Sequence, residues 1–291
     1  MLDPAAFPSQ PPPARADGVQ PMSAIAAALW IVGATFGFLL LGSLLASLRE
    51  DTGRDQTVLV VCQAAAYLLA LFAILRVHGP DAPIREFIAL RGTHAAFFPL
   101  ALLAGASSAY WASWVLERVH RRFPDANSSS RLVEIFFEAS PRGRIAMGLS
   151  IVVLGPVVEE LLFRGAIFGP MARRYRMNIV IAWTAALFAV VHVEPRVMLP
   201  IFLLGLTMGF LRAASGSLWP SMLFHMGFNG AQFADLYTYA GPPAPNAKPE
   251  AMPPWEAAAG VGVFLACMAL AIITANYTAA AHKARKSAAG V

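Results

Sequence analysis

An all-α, polytopic membrane helix bundle of about eight transmembrane helices is the fold class this chain predicts, and three observations predict it. Hydrophobic residues fill 57% of the 291 positions and charged residues only 13%, about half the ~25% of an ordinary soluble domain. Mean hydropathy is +0.58. The apolar residues are gathered into runs close to the ~20 residues that a helix needs to cross a bilayer.

Taken in order, the chain opens with a polar, Pro-rich stretch over 1–21, with Pro11, Pro12 and Pro13 in succession. That composition predicts an extended or disordered leader. The apolar run behind it is too long for the core of a cleavable signal peptide. Eight runs then follow: Met22 to Ala46, Thr57 to Leu75, Ala95 to Leu116, Ile145 to Phe168, Asn178 to His192, Val197 to Leu211, Leu218 to Ala234 and Trp255 to Tyr277. Within the charged stretch from Glu117 to Arg144, the residues Leu132, Val133, Ile135, Phe136 and Phe137 predict a short interfacial helix. Gly241 to Pro254 is Pro-rich and predicts an irregular loop. The organisation is therefore a leader (1–21), N-terminal spans with an interfacial segment (22–142), a core bearing the polar residues (143–234), and a loop, last span and basic tail (235–291). Gly205 and Gly209, spaced G-x-x-x-G, predict close helix packing. No internal repeat is visible, which argues against an inverted-repeat transporter.

The net charge is +5, with basic residues clustered between the apolar runs. That distribution suits lipid headgroups and topology signals. It does not suit nucleic acid, which asks for a continuous basic face. Cytoplasmic termini would place Arg76, Arg85, Arg91, Arg173, Arg174, Arg176, Arg212, Lys283, Arg285 and Lys286 on the inside, with the six arginines of Glu117 to Arg144 opposing them. Cys62 and Cys267 both fall inside apolar runs, so no disulfide is expected. The Ala-, Arg- and Pro-rich composition points to a bacterial inner (cytoplasmic) membrane.

Against this background the fourth run carries three charges in six residues, Glu159, Glu160 and Arg164. Each charged side chain at bilayer depth costs about 2.5–3.5 kcal/mol on insertion scales. Such residues face a polar interior site. Glu160 and Arg164 are four apart with the acid N-terminal, the favoured order for an ion pair. Glu159 points ~100° away around a helix of 3.6 residues per turn, leaving a second carboxylate outside that pair. His192 ends the fifth run, and His225 and Asn229 share one face of the seventh. A Glu, two His and an Asn can activate a water, shuttle a proton and stabilise an oxyanion. The set Glu159, His192 and His225 would equally serve as ligands of a divalent metal such as zinc, with water in an open position. The residue types leave both chemistries open.

The order Glu-Glu-x-x-x-Arg, Phe-x-x-x-His, His-x-x-x-Asn resembles the CPBP intramembrane proteases, which include CAAX prenyl endopeptidases and bacteriocin-processing or immunity proteins. Pro156-Val-Val-Glu159-Glu160-Leu-Leu-Phe-Arg164-Gly165 fits the first motif, Phe188-Ala-Val-Val-His192 the second, and Gly205 to Asn229 the third. The resemblance implies an intramembrane endopeptidase acting on a protein or peptide substrate at the membrane. It implies that Glu159 and His192 activate water, that His225 and Asn229 hold the oxyanion or help position the water, and that Arg164 pairs with Glu160 and orients the motif. A glutamate-type mechanism with no cofactor is favoured over a metal-dependent one, since no H-E-x-x-H motif is present. The alternative is a non-enzymatic immunity or scaffold protein binding a partner through the same polar cavity.

Overall fold

The computed structural model describes residues 18–48, 56–123, 131–238, 241 and 252–288. Most of the Pro-rich leader and of the 241–254 loop lies outside the described residues. Every regular element described is helical: α1 (Ala24–Leu48), α2 (Gln56–His78), α3 (Ile84–Phe87), α4 (Phe97–Arg122), α5 (Arg131–Glu138), α6 (Pro141–Gly148), α7 (Gly155–Glu160), α8 (Phe168–Ala172), α9 (Met177–Val190), α10 (Pro195–Ser215), α11 (Trp219–Asp235) and α12 (Pro254–Ala288). Two π-helical segments, Leu149–Leu154 and Leu161–Ile167, join α6, α7 and α8 into one rod.

Each of the eight predicted runs is a helix, but they are not alike. Five rods are long and apolar enough to cross a bilayer: Ala24–Leu48, Gln56–His78, Pro141–Ala172, Pro195–Ser215 and Pro254–Arg285. The other three, α4, α9 and α11, do not meet that standard for two reasons. α9 has 14 residues and α11 has 17, whereas α4 is long but diluted by Ser107, Ser108, Tyr110, Trp111, Ser113 and Trp114. The inward face of α4 is Ala101, Ala104, Gly105, Ser107, Ser108, Ala109 and Ala112, all buried and all small. Those residues let other backbones approach, which is how helices associate where lipid offers no hydrophobic contrast. A Cβ on Gly105 would overlap the Phe224 carbonyl of α11, and one on Gly227 would overlap the Leu102 carbonyl of α4. The α4–α11 contact is thus closed by two glycines facing the opposite backbone.

The Gly205 and Gly209 expectation holds in the same way. A Cβ added to Gly205 would stand 3.0 Å from the Ala185 Cα, and one on Gly209 would stand 3.0 Å from Ile181 Cγ2. α10 therefore lies close along α9. α10 begins on Glu194, whose carboxylate caps the Arg196 N–H, with Pro195 in the first turn, and ends at Gly216 in the left-handed region (φ 64°). The predicted interfacial helix is α5. Val133 and Phe136 bury against Met147 and Leu236, while Glu134 and Glu138 stay exposed. Arg144 secures it by donating to the Phe136 and Phe137 carbonyls at 2.9 and 3.2 Å.

Candidate active site

Four elements converge at mid-bundle: α2, α7 with its following π segment, the end of α9, and α11. The two π segments bracket the Glu159–Glu160 dipeptide. A π turn shifts the phase of side chains after it, and such turns concentrate at functional sites.

Glu160 is fully buried, and both of its carboxylate oxygens accept hydrogen bonds. Arg164 Nη1 donates to its Oε1 at 2.8 Å, Ser221 Oγ donates to Oε2, and His225 Nδ1 lies 3.3 Å from Oε1. Arg164 is likewise sealed at 0% exposure. It donates a second bond to the Gly205 carbonyl at 3.0 Å and lies over the Phe188 ring, 4.6 Å from its centroid. Arg164 thus ties the carboxylate to α10 as well as to its own helix.

Glu159 has a different environment. Gln63 Nε2 on α2 donates to its Oε1 at 2.8 Å. Its Oε2 faces His225 Nε2 at 3.8 Å, and 14% of the side chain stays accessible. The His225 ring therefore lies between the two glutamates, Nδ1 towards the sealed one and Nε2 towards the accessible one. The structure sets the His225 ring against both carboxylates.

His192 follows α9 on the exposed side of the site, in the turn before Val193, which takes a φ of 56°. Its Nδ1 lies 2.8 Å from the Phe188 carbonyl. A carbonyl only accepts, so Nδ1 carries the proton and Nε2 presents a lone pair. The Phe188 ring meets His192 edge-on at 5.0 Å and His225 at 5.6 Å between centroids. This single aromatic side chain links both histidines and Arg164. Below His192, Glu194 accepts from Arg196 Nε at 2.8 Å. That bond holds the Glu194 carboxyl down at about 2.

Asn229 Nδ2 donates to the Ile151 carbonyl of the first π segment at 2.9 Å. One amide N–H thus fixes α11 to the rod carrying the glutamates. Two partners were missed in the sequence, Gln63 and Ser221. Gln63 is an amide between apolar residues in the interior of α2, a signal that the cost of burying a polar group makes readable. Ser221 precedes His225 and Asn229 by four and eight residues, which puts all three on one helical stripe.

Among the described residues, no three His, Cys, Asp or Glu side chains gather as ligands of one ion.

Comparison with known proteins bears on residues 141–231, which match the family model described as Type II CAAX prenyl endopeptidase Rce1-like. A Bacillus subtilis (strain 168) protein named "Putative membrane peptidase YdiL" is 29% identical over 87 residues, covering 29% of this chain and 36% of that protein. The chain is thus aligned to little more than a third of that relative's length. No solved structure matches.

Proposed function

From the CPBP-family domain that residues 141–231 carry, we propose that this integral membrane protein is an endopeptidase of glutamate type. It hydrolyses a peptide bond of a membrane-associated or exported protein or peptide. The observation that supports this reading most is the His225 ring between two carboxylates of unequal standing. Glu160 is spent on Arg164, Ser221 and His225. Glu159 keeps an accessible oxygen, with Gln63 orienting the other.

In the reaction, Glu159 Oε2 takes a proton from a water that His192 Nε2 also holds. The water oxygen attacks the scissile carbonyl carbon, and the C=O electron pair moves onto oxygen. Asn229 faces the resulting oxyanion, where one donor typically lowers the barrier by ~2.7–4 kcal/mol, while His225 stays between the two carboxylates. Glu159 then delivers its proton to the amide nitrogen as the C–N bond breaks, releasing a carboxylic acid and an amine, whose proton exchange leaves a carboxylate and an ammonium group. No step is routed through a metal. Arg164 and Ser221 are positioning residues, since they act only by fixing Glu160 and hence the His225 ring.

The test is a comparison of protein termini in host membranes expressing wild type or Glu159→Gln at equal levels. Termini that arise only with wild type identify the substrate. An unchanged set of termini would favour the immunity or scaffold reading, in which the same cavity binds a partner without cleaving it.

A further inference from the structure

The chain reverses between α9 and α10 within residues 191–194, and the reversal falls on a residue ill suited to it. Val193 has a φ of 56°. Left-handed backbone after a helix is ordinarily taken by glycine, and a β-branched residue there is a conformational outlier. Packing does little to offset the strain, because Val193 is 71% exposed. Strained backbone of this kind persists only where its surroundings over-determine it.

Both sides of Val193 are fixed. Upstream, the His192 N–H donates to the Ala189 carbonyl at 3.3 Å, and the Val193 N–H to the Val190 carbonyl at 3.1 Å. Downstream, Pro195 disfavours helical backbone at the residue before it, and Glu194 is extended (φ −111°, ψ 103°). Glu194 is also clamped to Arg196. Its Oε1 accepts from the Arg196 N–H at 3.2 Å and from Nε at 2.8 Å, and its Oε2 accepts from Nη2 at 3.1 Å. A helix cap asks for one side-chain oxygen on one backbone N–H. The forked bond goes beyond capping, because it fixes the carboxylate through both oxygens.

His192 stands immediately before the strained residue, with its Nδ1 2.8 Å from the Phe188 carbonyl. A return of Val193 to extended backbone would redirect the chain on one side of it. The close packing of Gly205 and Gly209 on Ala185 and Ile181 holds α10 in place, so the displacement would fall on His192. We infer that Glu194 and Arg196 are positioning residues for His192: their forked pair holds Val193 in its left-handed conformation and so keeps the His192 ring on Phe188. The part His192 plays in cleavage rests on the function proposed above; the clamp does not.

The test is a double-mutant cycle of Glu194→Gln and Val193→Gly in the full chain. It is read by the nitrogen NMR spectrum of isotope-labelled histidines in detergent, by Tm, and by kcat and KM on the substrate identified from membrane termini. Glu194→Gln keeps one oxygen for the Arg196 N–H but loses the fork. In the valine chain it should shift the His192 Nδ1 resonance, assigned from its absence in His192→Ala, and lower kcat about 10–100-fold with KM little changed. In the glycine chain, where left-handed backbone carries no strain, the same substitution should leave the resonance in place and change kcat by less than about threefold. Val193→Gly alone should raise Tm by about 2 °C, since the strain relieved exceeds the freedom a glycine adds to the unfolded chain. A merely structural cap would give the same losses in both chains. An equal shift of the resonance in both, a shift in neither, or a lower Tm for Val193→Gly would overturn the assignment. The expected spectra in a protein that releases no termini would uphold the clamp and overturn the peptidase reading instead.

Discussion

Removing Arg164 should damage this protein more than any other single change near the glutamates. The side chain is 0% exposed and bonded to an equally sealed Glu160 at 2.8 Å. At a charge separation near 4 Å and an effective dielectric of ~20, attraction between unit charges is about 4 kcal/mol. Breaking a buried pair by deleting one partner costs about 3–5 kcal/mol, because the other charge stays behind unpaired. Arg164→Met fills similar volume while removing the charge, the bond to Gly205 and the contact with Phe188. At roughly 2 °C per kcal/mol for a large chain, Tm should fall by about 6–10 °C. The assay is thermal unfolding in detergent followed by intrinsic tryptophan fluorescence. Adding Glu160→Gln to Arg164→Met should restore part of the loss, since the stranded charge is gone. A Tm for Arg164→Met within about 2 °C of wild type would refute the pairing as the element that holds the site together.

Three further changes separate chemistry from structure. Glu159→Gln should abolish cleavage with Tm unchanged, as read from membrane termini and unfolding together; a variant that still cleaves at the wild-type rate removes Glu159 from the mechanism. Gln63→Leu removes one charge-assisted bond, typically ~1.5–3 kcal/mol, and should lower kcat by about 10–100-fold with KM little changed; unaltered kcat would show that Glu159 needs no support from α2. Gly227→Ala forces a Cβ against the Leu102 carbonyl and should destabilise by about 1–3 kcal/mol while lowering activity through displacement of His225; a variant with wild-type Tm and activity would show that α4 and α11 are not locked there.

Much of this architecture was legible in the residues, for identifiable reasons. Apolar runs fix helix positions because a bilayer demands internally bonded backbone. The Glu160–Arg164 pair was legible because i, i+4 geometry is a property of one helix. Gln63 was not, because its meeting with Glu159 depends on how α2 is rotated against the rod 96 residues later. Ser221 looked like an ordinary helical serine until Glu160 appeared opposite it. Phe188 was noted for its spacing to His192, but its contacts with Arg164 and His225 are set by the packing of three helices. The two π segments have no signature in hydropathy, since their side chains are as apolar as those of the flanking α turns. Gly105 and Gly227 lie in different runs, and only their crossing makes them a pair.

Two adjacent glutamates in a membrane need opposite treatment, and the surrounding residues supply it. An ionised carboxylate is tolerated at depth when its oxygens are hydrogen-bonded, which is the state of Glu160. A carboxylate so satisfied has little capacity left to accept a proton from water. Glu159 needs the reverse: enough support to hold its geometry and an oxygen left over for chemistry. Gln63 provides the first on one oxygen, while the other oxygen, 3.8 Å from His225 Nε2, belongs to a side chain that stays 14% accessible. Because the dipeptide sits on an α turn between π turns, neighbouring residues can face such different surroundings within one helix. His225 then connects them, so that any shift of the sealed glutamate reaches the accessible one through a single ring. This is why the ion pair of Glu160 and Arg164, which touches no substrate in the proposed reaction, should govern activity as well as stability.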